Sequence, residues 1–227
     1  NGRYVTTLTM NRPERRNAIN QEMADELYSC LRELWGSKDL RVLVLTGEGS
    51  AFGSGADLKE RIHLQPEQTQ HHRESVLRCI EALERFPAPV IAMVNGPAVA
   101  GGLEIALGCD IRISSDKATY SLTEVRNVGS FPGAGGPVRL PKMIGRGRAN
   151  YVVLTARFFS AQEAFDLGFV EVVVPEARLR EETYAVAQQI AGNSPTGVRA
   201  AKQLMRQSND LDVTSATDLS RALRNPL

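Results

Sequence analysis

Over residues 4–10 polar and apolar side chains alternate and β-branched types are frequent, so the segment is predicted to be a strand. Asn11, Arg12 and Pro13 break it. The period then changes. Ile19, Met23, Leu27, Leu31 and Leu34 recur every three or four positions, which predicts an amphipathic helix over 18–35. Residues 41–46 and 90–94 are continuous apolar runs, as expected of strands covered on both faces. A glycine-rich turn follows the first run, and Asn95-Gly96-Pro97 follows the second. Between them lies a polar stretch, 60–74, with no apolar period and the look of a mobile segment. A helix is predicted over 76–86, ended by Pro87 and Pro89. Further on the pattern gives a helix over 103–107, a short strand at 111–114 and a loop at 129–136. Helices follow at 146–155, 160–166 and 178–191, a strand at 169–174, and a last patterned helix at 196–207.

Strands alternate with helices in the first half, and helices dominate the second. The expected fold class is therefore α/β with a helical C-terminal part. No repeat, low-complexity tract or linker interrupts the chain, and the expected division is a core over 1–190 and a helical region over 191–227.

Composition narrows the functional classes. The chain has 227 residues, 42% of them hydrophobic, enough for one sizeable core. The formal net charge is +1, which gives no electrostatic case for a nucleic-acid or membrane partner. Cys30, Cys79 and Cys109 are far apart and odd in number, a pattern of reduced thiols rather than of a disulfide framework. No apolar run reaches the 18 residues of a membrane span. Asn1-Gly2-Arg3 carries no apolar signal region. The expected location is the cytoplasm of a bacterium, or the mitochondrial matrix of a eukaryote if a transit peptide has been removed.

Three segments could carry chemistry. Residues 51–60 (AFGSGADLKE) follow a buried strand, and their glycines allow backbone to approach a ligand closely; an N–H near Ala56 could point into a site. The same glycines also suit an ordinary turn. Residues 95–104 (NGPAVAGGLE) lead from a buried strand into a helix, whose free N–H groups suit an oxyanion. Glu104 falls in the first turn of that helix. It could simply cap it, but its neighbours Val99, Leu103, Ile105 and Ala106 are apolar, and a buried carboxylate must be paired or functional. The third segment is 120–125 (YSLTEV) with the glycines after it. Glu124, read alone, is a surface glutamate.

Other sites are disfavoured. Gly47 and Gly49 begin a dinucleotide fingerprint, but Phe52 stands where its third glycine belongs. There is no G-x-S-x-G elbow around Ser54. His63, His71 and His72 lie in the most polar stretch with no metal-ligand spacing, and are read as a solvated helix face.

Taken together, these segments resemble the enoyl-CoA hydratase/isomerase (crotonase) superfamily over nearly the whole chain. The resemblance runs from Asn11-Arg12-Pro13 and Asn17-Ala18 through Gly55 to Glu60 and Asn95-Gly96 to Glu104. It continues through Pro132 to Gly136 with Arg139-Leu140, and through residues 154–170. It implies a spiral of ββα units with a helical C-terminal trimerisation region. It implies that the backbone N–H groups of Ala56 and Gly101 form an oxyanion hole for the thioester carbonyl of an acyl-CoA. Arg15, Arg16, Ala56, Asp57, Leu58, Lys59 and Gly101 match positions that line the CoA substrate. Glu104 and Glu124 match the two glutamates that hold the attacking water. Of these, Glu124 corresponds to the proton donor to the α-carbon and Glu104 to the residue that activates the water. Both carboxylates together favour water addition to a 2,3-enoyl-CoA, giving the 3-hydroxyacyl-CoA, with no cofactor and no metal, in a homotrimer or hexamer.

The chain departs from the family's pattern at Ala100, where glycine is common, and at Ser130-Phe131 and Pro137-Val138. It also stops at Leu227, so the helix that usually ends the family's chains is expected to be missing. The stretches 122–125 and 57–61 are similar to methylglutaconyl-CoA hydratases, which act on a branched, acidic acyl chain. Enoyl-CoA isomerisation is an alternative reaction. An RNA-binding or scaffold role on this fold is disfavoured, because the first helix carries Glu22, Asp25, Glu26 and Glu33 against only Arg32.

Overall fold

The computed structural model describes residues 4–225; Asn1-Gly2-Arg3, on which the expectation about a signal region rests, lie outside the described residues. The first strand, β1 (Val5–Met10), is followed by helix α1 (Gln21–Trp35) and strand β2 (Val42–Gly47). Two helices follow, α2 (Leu58–Arg61) and α3 (Pro66–Arg85), then strands β3 (Val90–Val94) and β4 (Ala98–Val99). Helix α4 (Gly101–Leu107) leads to strands β5 (Ile111–Ser115) and β6 (Thr119–Ser121), and then to α5 (Glu124–Asn127) and α6 (Gly136–Thr155). Strand β7 (Phe159–Ser160), α7 (Ala161–Leu167) and strand β8 (Val172–Val174) come next. The chain ends with α8 (Leu179–Gly192), α9 (Pro195–Ser208) and α10 (Val213–Arg224).

Five strands form one parallel sheet in the order β1-β2-β3-β5-β8. β2 and β3 are buried at every position, because helices cover both faces of the sheet. On one face α1 and α3 pack Leu27, Leu31, Ile80 and Leu83 against Leu43 and Leu45. On the other, α8 lays Leu179, Ala187 and Ala191 over Val42, Val44 and Ile91. A second sheet of three short strands, in the order β4-β6-β7, stands beside the first and carries the site. The α/β expectation holds.

Several expected boundaries do not. Residues 60–74 are largely helical: α3 starts at Pro66, not at 76. Pro66 suits the first helical position, and the side chain of Gln68 accepts from the N–H of Gln65 at 2.8 Å. The buried stripe of this helix starts with polar groups, His72 and Ser75, before Val76, Cys79, Ile80 and Leu83, so hydropathy alone hides its first turns. The helix expected over 146–155 begins ten residues earlier, at Gly136, with a break at Gly145 (φ 76°, ψ 156°). Strand β8 is shorter than expected because residues 169–171 lie outside the ladder with β5. Helical structure also runs past 207. α10 is capped by Asp212, whose carboxylate accepts from the N–H groups of Thr214 and Ser215, and it packs on α9. α9 in turn is tied to the core by Lys202, which donates to Ala88 O and pairs with Asp110 at 2.6 Å. No helix among the described residues is long and apolar enough to cross a membrane.

Candidate active site

Two turns meet above the carboxyl ends of β2 and β3. The chain after β2 runs beside β4: the N–H groups of Phe52 and Gly53 donate to Pro97 O at 3.1 Å, and that of Val99 donates to Gly53 O at 2.8 Å. The start of α4 presses on this segment. A Cβ on Gly102 would lie 2.1 Å from Gly53 O, so only glycine fits there. The next residues pair with Ile19, whose N–H donates to Gly55 O and whose carbonyl accepts from Asp57 N–H. In such a parallel bridge the residue between, Ala56, turns its N–H away from Ile19. Gly101 opens α4, where an N–H has no partner within the helix. A Cβ on Gly101 would stand 3.5 Å from Gly55 Cα and 3.8 Å from Ala56 N. Neither the Ala56 nor the Gly101 N–H has an acceptor among the described residues, and both residues line the same cavity.

The scaffold under this corner explains part of the sequence motif. Asn17 is fully buried in the left-handed region (φ 53°), which asparagine tolerates. Its Oδ1 accepts from Arg12 N–H, and its Nδ2 donates to Glu48 O and Ala51 O. Arg12 donates to Ala18 O and pairs with Asp57 at 3.1 Å. Ala100, by contrast, sits at φ 52° and ψ −126°, a conformation glycine favours. It is held there by its N–H bond to Ser121 O at 2.8 Å.

The cavity has a volume of about 600 Å³, within the range of small-molecule sites. Glu104 and Glu124 both line it. Glu104 is 2% exposed, and its Oε1 accepts from the N–H groups of Ala134 at 2.9 Å and Gly136 at 2.8 Å. It does not cap its own helix. Burial pushes its carboxyl upward, while the two N–H bonds and the nearby Arg139 favour the charged form. Glu124 begins α5 and is half-buried. Its Oε2 is enclosed and has no hydrogen-bond partner. Burial, and then the charge of Glu104, push its carboxyl up to about 7, against the bond from its own N–H.

The other residues named from the sequence are spread more widely. Leu58 lines the cavity. Asp57 spends its carboxylate on structure: Oδ1 accepts from Lys59 and Glu60 N–H, and Oδ2 from Arg12. Burial opposes its ionisation, but those bonds prevail and hold its carboxyl below the usual value. Arg15, Arg16 and Lys59 are exposed and do not line the cavity; Arg15 touches its rim through its carbonyl, which accepts from Ser54 Oγ at 3.3 Å.

One histidine is not where the pattern put it. His63 and His71 are exposed, but His72 is 2% exposed and lines the cavity. Its Nε2 donates to Ile19 O at 3.0 Å, and burial lowers its pKa, so it is a neutral donor that braces the Ala56 turn. The solvated-face reading fails for it because α3 begins earlier and turns this residue inward. The clue in the sequence was its spacing, four residues before Val76 and seven before Cys79. Phe131, noted as a departure from the family's pattern, and Arg61, in the 57–61 stretch, also line the cavity, as do Arg73, Asn127 and Phe158, which were not singled out.

The sequence profile described as Enoyl-CoA hydratase/isomerase matches residues 2–225. A solved enoyl-CoA hydratase from Bacillus anthracis is 38% identical, with a TM-score of 0.95 over 97% of this chain and 85% of that one. A short-chain-enoyl-CoA hydratase of Clostridium acetobutylicum is 35% identical over 93% of this chain and 81% of its own length. A 2,3-dehydroadipyl-CoA hydratase of Escherichia coli is 34% identical over 96% of this chain and 85% of its own. A match over almost the full chain, at the level of both sequence and fold, leaves one conclusion: the chain belongs to the enoyl-CoA hydratase/isomerase family.

Proposed function

We propose that this protein adds water reversibly to the 2,3-double bond of an enoyl-CoA thioester, giving the 3-hydroxyacyl-CoA. The observation that carries this reading is the sharing of one cavity by two unpartnered N–H groups and two carboxylates of unlike environment. The thioester carbonyl accepts from Ala56 and Gly101 N–H, which polarises the conjugated double bond and stabilises the negative charge that develops on that oxygen. Glu104, its Oε1 held by the 134–136 loop, takes a proton from water through its other oxygen. The water oxygen bonds to C3. Glu124, desolvated and protonated, delivers its proton to C2. The pair carries one proton before and after the step, so a proton must return from Glu104 to Glu124 before the next turnover.

The 55–59 turn and the Arg15–Arg16 segment at the rim form the side toward the CoA moiety in this reading. A homotrimer or hexamer belongs to it too: α9 and α10 expose Met205 and Val213, which are 67% and 84% accessible in the single chain. The test is direct. The protein should consume the conjugated-thioester absorbance of a 2-enoyl-CoA and yield a product heavier by one water. A shift of the double bond without water uptake would favour isomerisation instead.

A further inference from the structure

Two cations of the cavity have no use in the steps above. Arg61 ends α2 and Arg73 lies in the second turn of α3; both line the same cavity as the glutamates. Among the described residues, no carboxylate lies within ion-pair distance of either, and neither guanidinium donates a hydrogen bond. Arg61 is half-buried. Burial first, and then the like charge of Arg73, work against its own charge. Two arginines that face each other's charge in a cavity, with no anion between them, are an arrangement that an anionic ligand group completes. The planar guanidinium fork matches a carboxylate or a phosphate.

Which anion is decided by the cavity they share. It also contains the N–H groups assigned to the thioester carbonyl and the carboxylates assigned to C2 and C3. The phosphates of CoA are separated from the thioester by the whole pantetheine arm. The far end of the acyl chain is only a few bonds from C3. The remaining walls supply what a chain of methylenes needs on the way: Val76 from α3, with Phe131 and Phe158.

Resting on the hydratase reading, we infer that the substrate is an enoyl-CoA whose acyl chain ends in a carboxylate, received by Arg61 and Arg73. The reaction at C2 and C3 is the same, and the arginines set which chain is accepted.

The experiment compares two thioesters of equal length that differ only at the chain's end, 2-hexenoyl-CoA and 2,3-dehydroadipyl-CoA. The carboxylated one should be preferred about tenfold or more in kcat/KM, the scale of a charge-assisted hydrogen bond. In Arg61→Gln and Arg73→Gln the loss for the carboxylated substrate should exceed the loss for hexenoyl-CoA about tenfold, chiefly through KM. Equal turnover of both by the unaltered protein overturns the inference. So does an equal loss for both in the variants, which would place the arginines on the CoA phosphates. If neither thioester gains water, the hydratase reading fails by itself. Calorimetric binding of adipyl-CoA against hexanoyl-CoA then judges the arginine site alone: tighter binding of adipyl-CoA, abolished in the variants, supports it, and equal binding overturns it.

Discussion

Glu104 and Glu124 face one cavity from walls of opposite construction. Glu104 stands on α4, wedged between the sheet and the 132–136 loop, and two backbone N–H groups converge on one of its oxygens. Glu124 leads a helix of four residues, followed by Gly129 at φ 59° and an exposed Phe131, and its enclosed Oε2 meets no donor. The first wall is fixed by packing, and its backbone donors favour the charged form against the upward push of burial. The second removes water from a carboxyl without replacing it, which favours the proton. Two chemically identical groups thereby sit in unlike environments, and the difference comes first from backbone donors, with Arg139 beside Glu104 and the charge of Glu104 acting on Glu124 in the same sense.

The strongest way to break this contrast is to remove either titration. Glu124→Gln and Glu104→Gln should each lower hydration at least about a hundredfold, the scale of an acid or base group. The double variant should fall little further than the worse single one, because the groups act as a unit. Steady-state rates on a short enoyl-CoA decide it; a variant with near-normal kcat would dismiss the residue concerned.

The pH profile tests the contrast next. With the Glu124 carboxyl at about 7, kcat/KM for hydration should fall about tenfold per unit above that value, and Glu124→Gln should flatten the limb. Stability carries the same signature. The folded pKa lies above the ordinary value of 4.5, so the folded state binds the extra proton between 4.5 and about 7. The contribution of this group is therefore full below 4.5 and is lost as pH rises to about 7. Urea midpoints of the protein and of Glu124→Gln should diverge across that window; parallel curves would contradict the assignment.

A smaller effect separates the stiff wall from the chemistry. A methyl on Gly136 would sit 3.3 Å from Glu104 Oε1 and 3.0 Å from Leu122 Cδ1. Gly136→Ala should cost about 1–3 kcal/mol of stability through overpacking. It should also lower kcat roughly tenfold by displacing the oxygen that the loop holds. Unchanged kcat would show that the loop does not position Glu104.

The mildest change concerns Ala100. Relief of its backbone strain is worth about 1–3 kcal/mol, offset by about 0.5–1 kcal/mol for the freer unfolded glycine. Ala100→Gly should therefore raise Tm by roughly 2–4 °C. A lower Tm would mean that the methyl packs more than it strains.

How much of this was legible in the sequence varied with the physics of each element. β2 and β3 were plain, because strands covered on both faces are apolar at every position. β4, β6 and β7 were not, since two or three residues carry no period. α3 was half-hidden, because the stripe it buries starts with His72 and Ser75 rather than with hydrocarbon. Glu104 could be suspected from its apolar neighbours. Glu124 had no local signal at all; it and the pairing came only from the family resemblance, and the fold supplies the proximity. Arg61 and Arg73 look like the solvated charges around them; Arg61 is half-buried and Arg73 exposed, and only the placing of α2 and α3 beside the cavity brings both to its wall.

The bridge that skips Ala56 has one more consequence. The site's two donors are the reverse of ordinary core amides: they sit among closely packed backbone and yet belong to no ladder. In the language of amide exchange, no hydrogen bond has to break before they trade their hydrogens with solvent. Their neighbours Asp57 and Glu104, whose N–H groups are bonded to Ile19 O and Ala100 O, must wait for the fold to open. The chain thus keeps two labile hydrogens inside a slow-exchanging corner, and a bound carbonyl oxygen is what would make them slow.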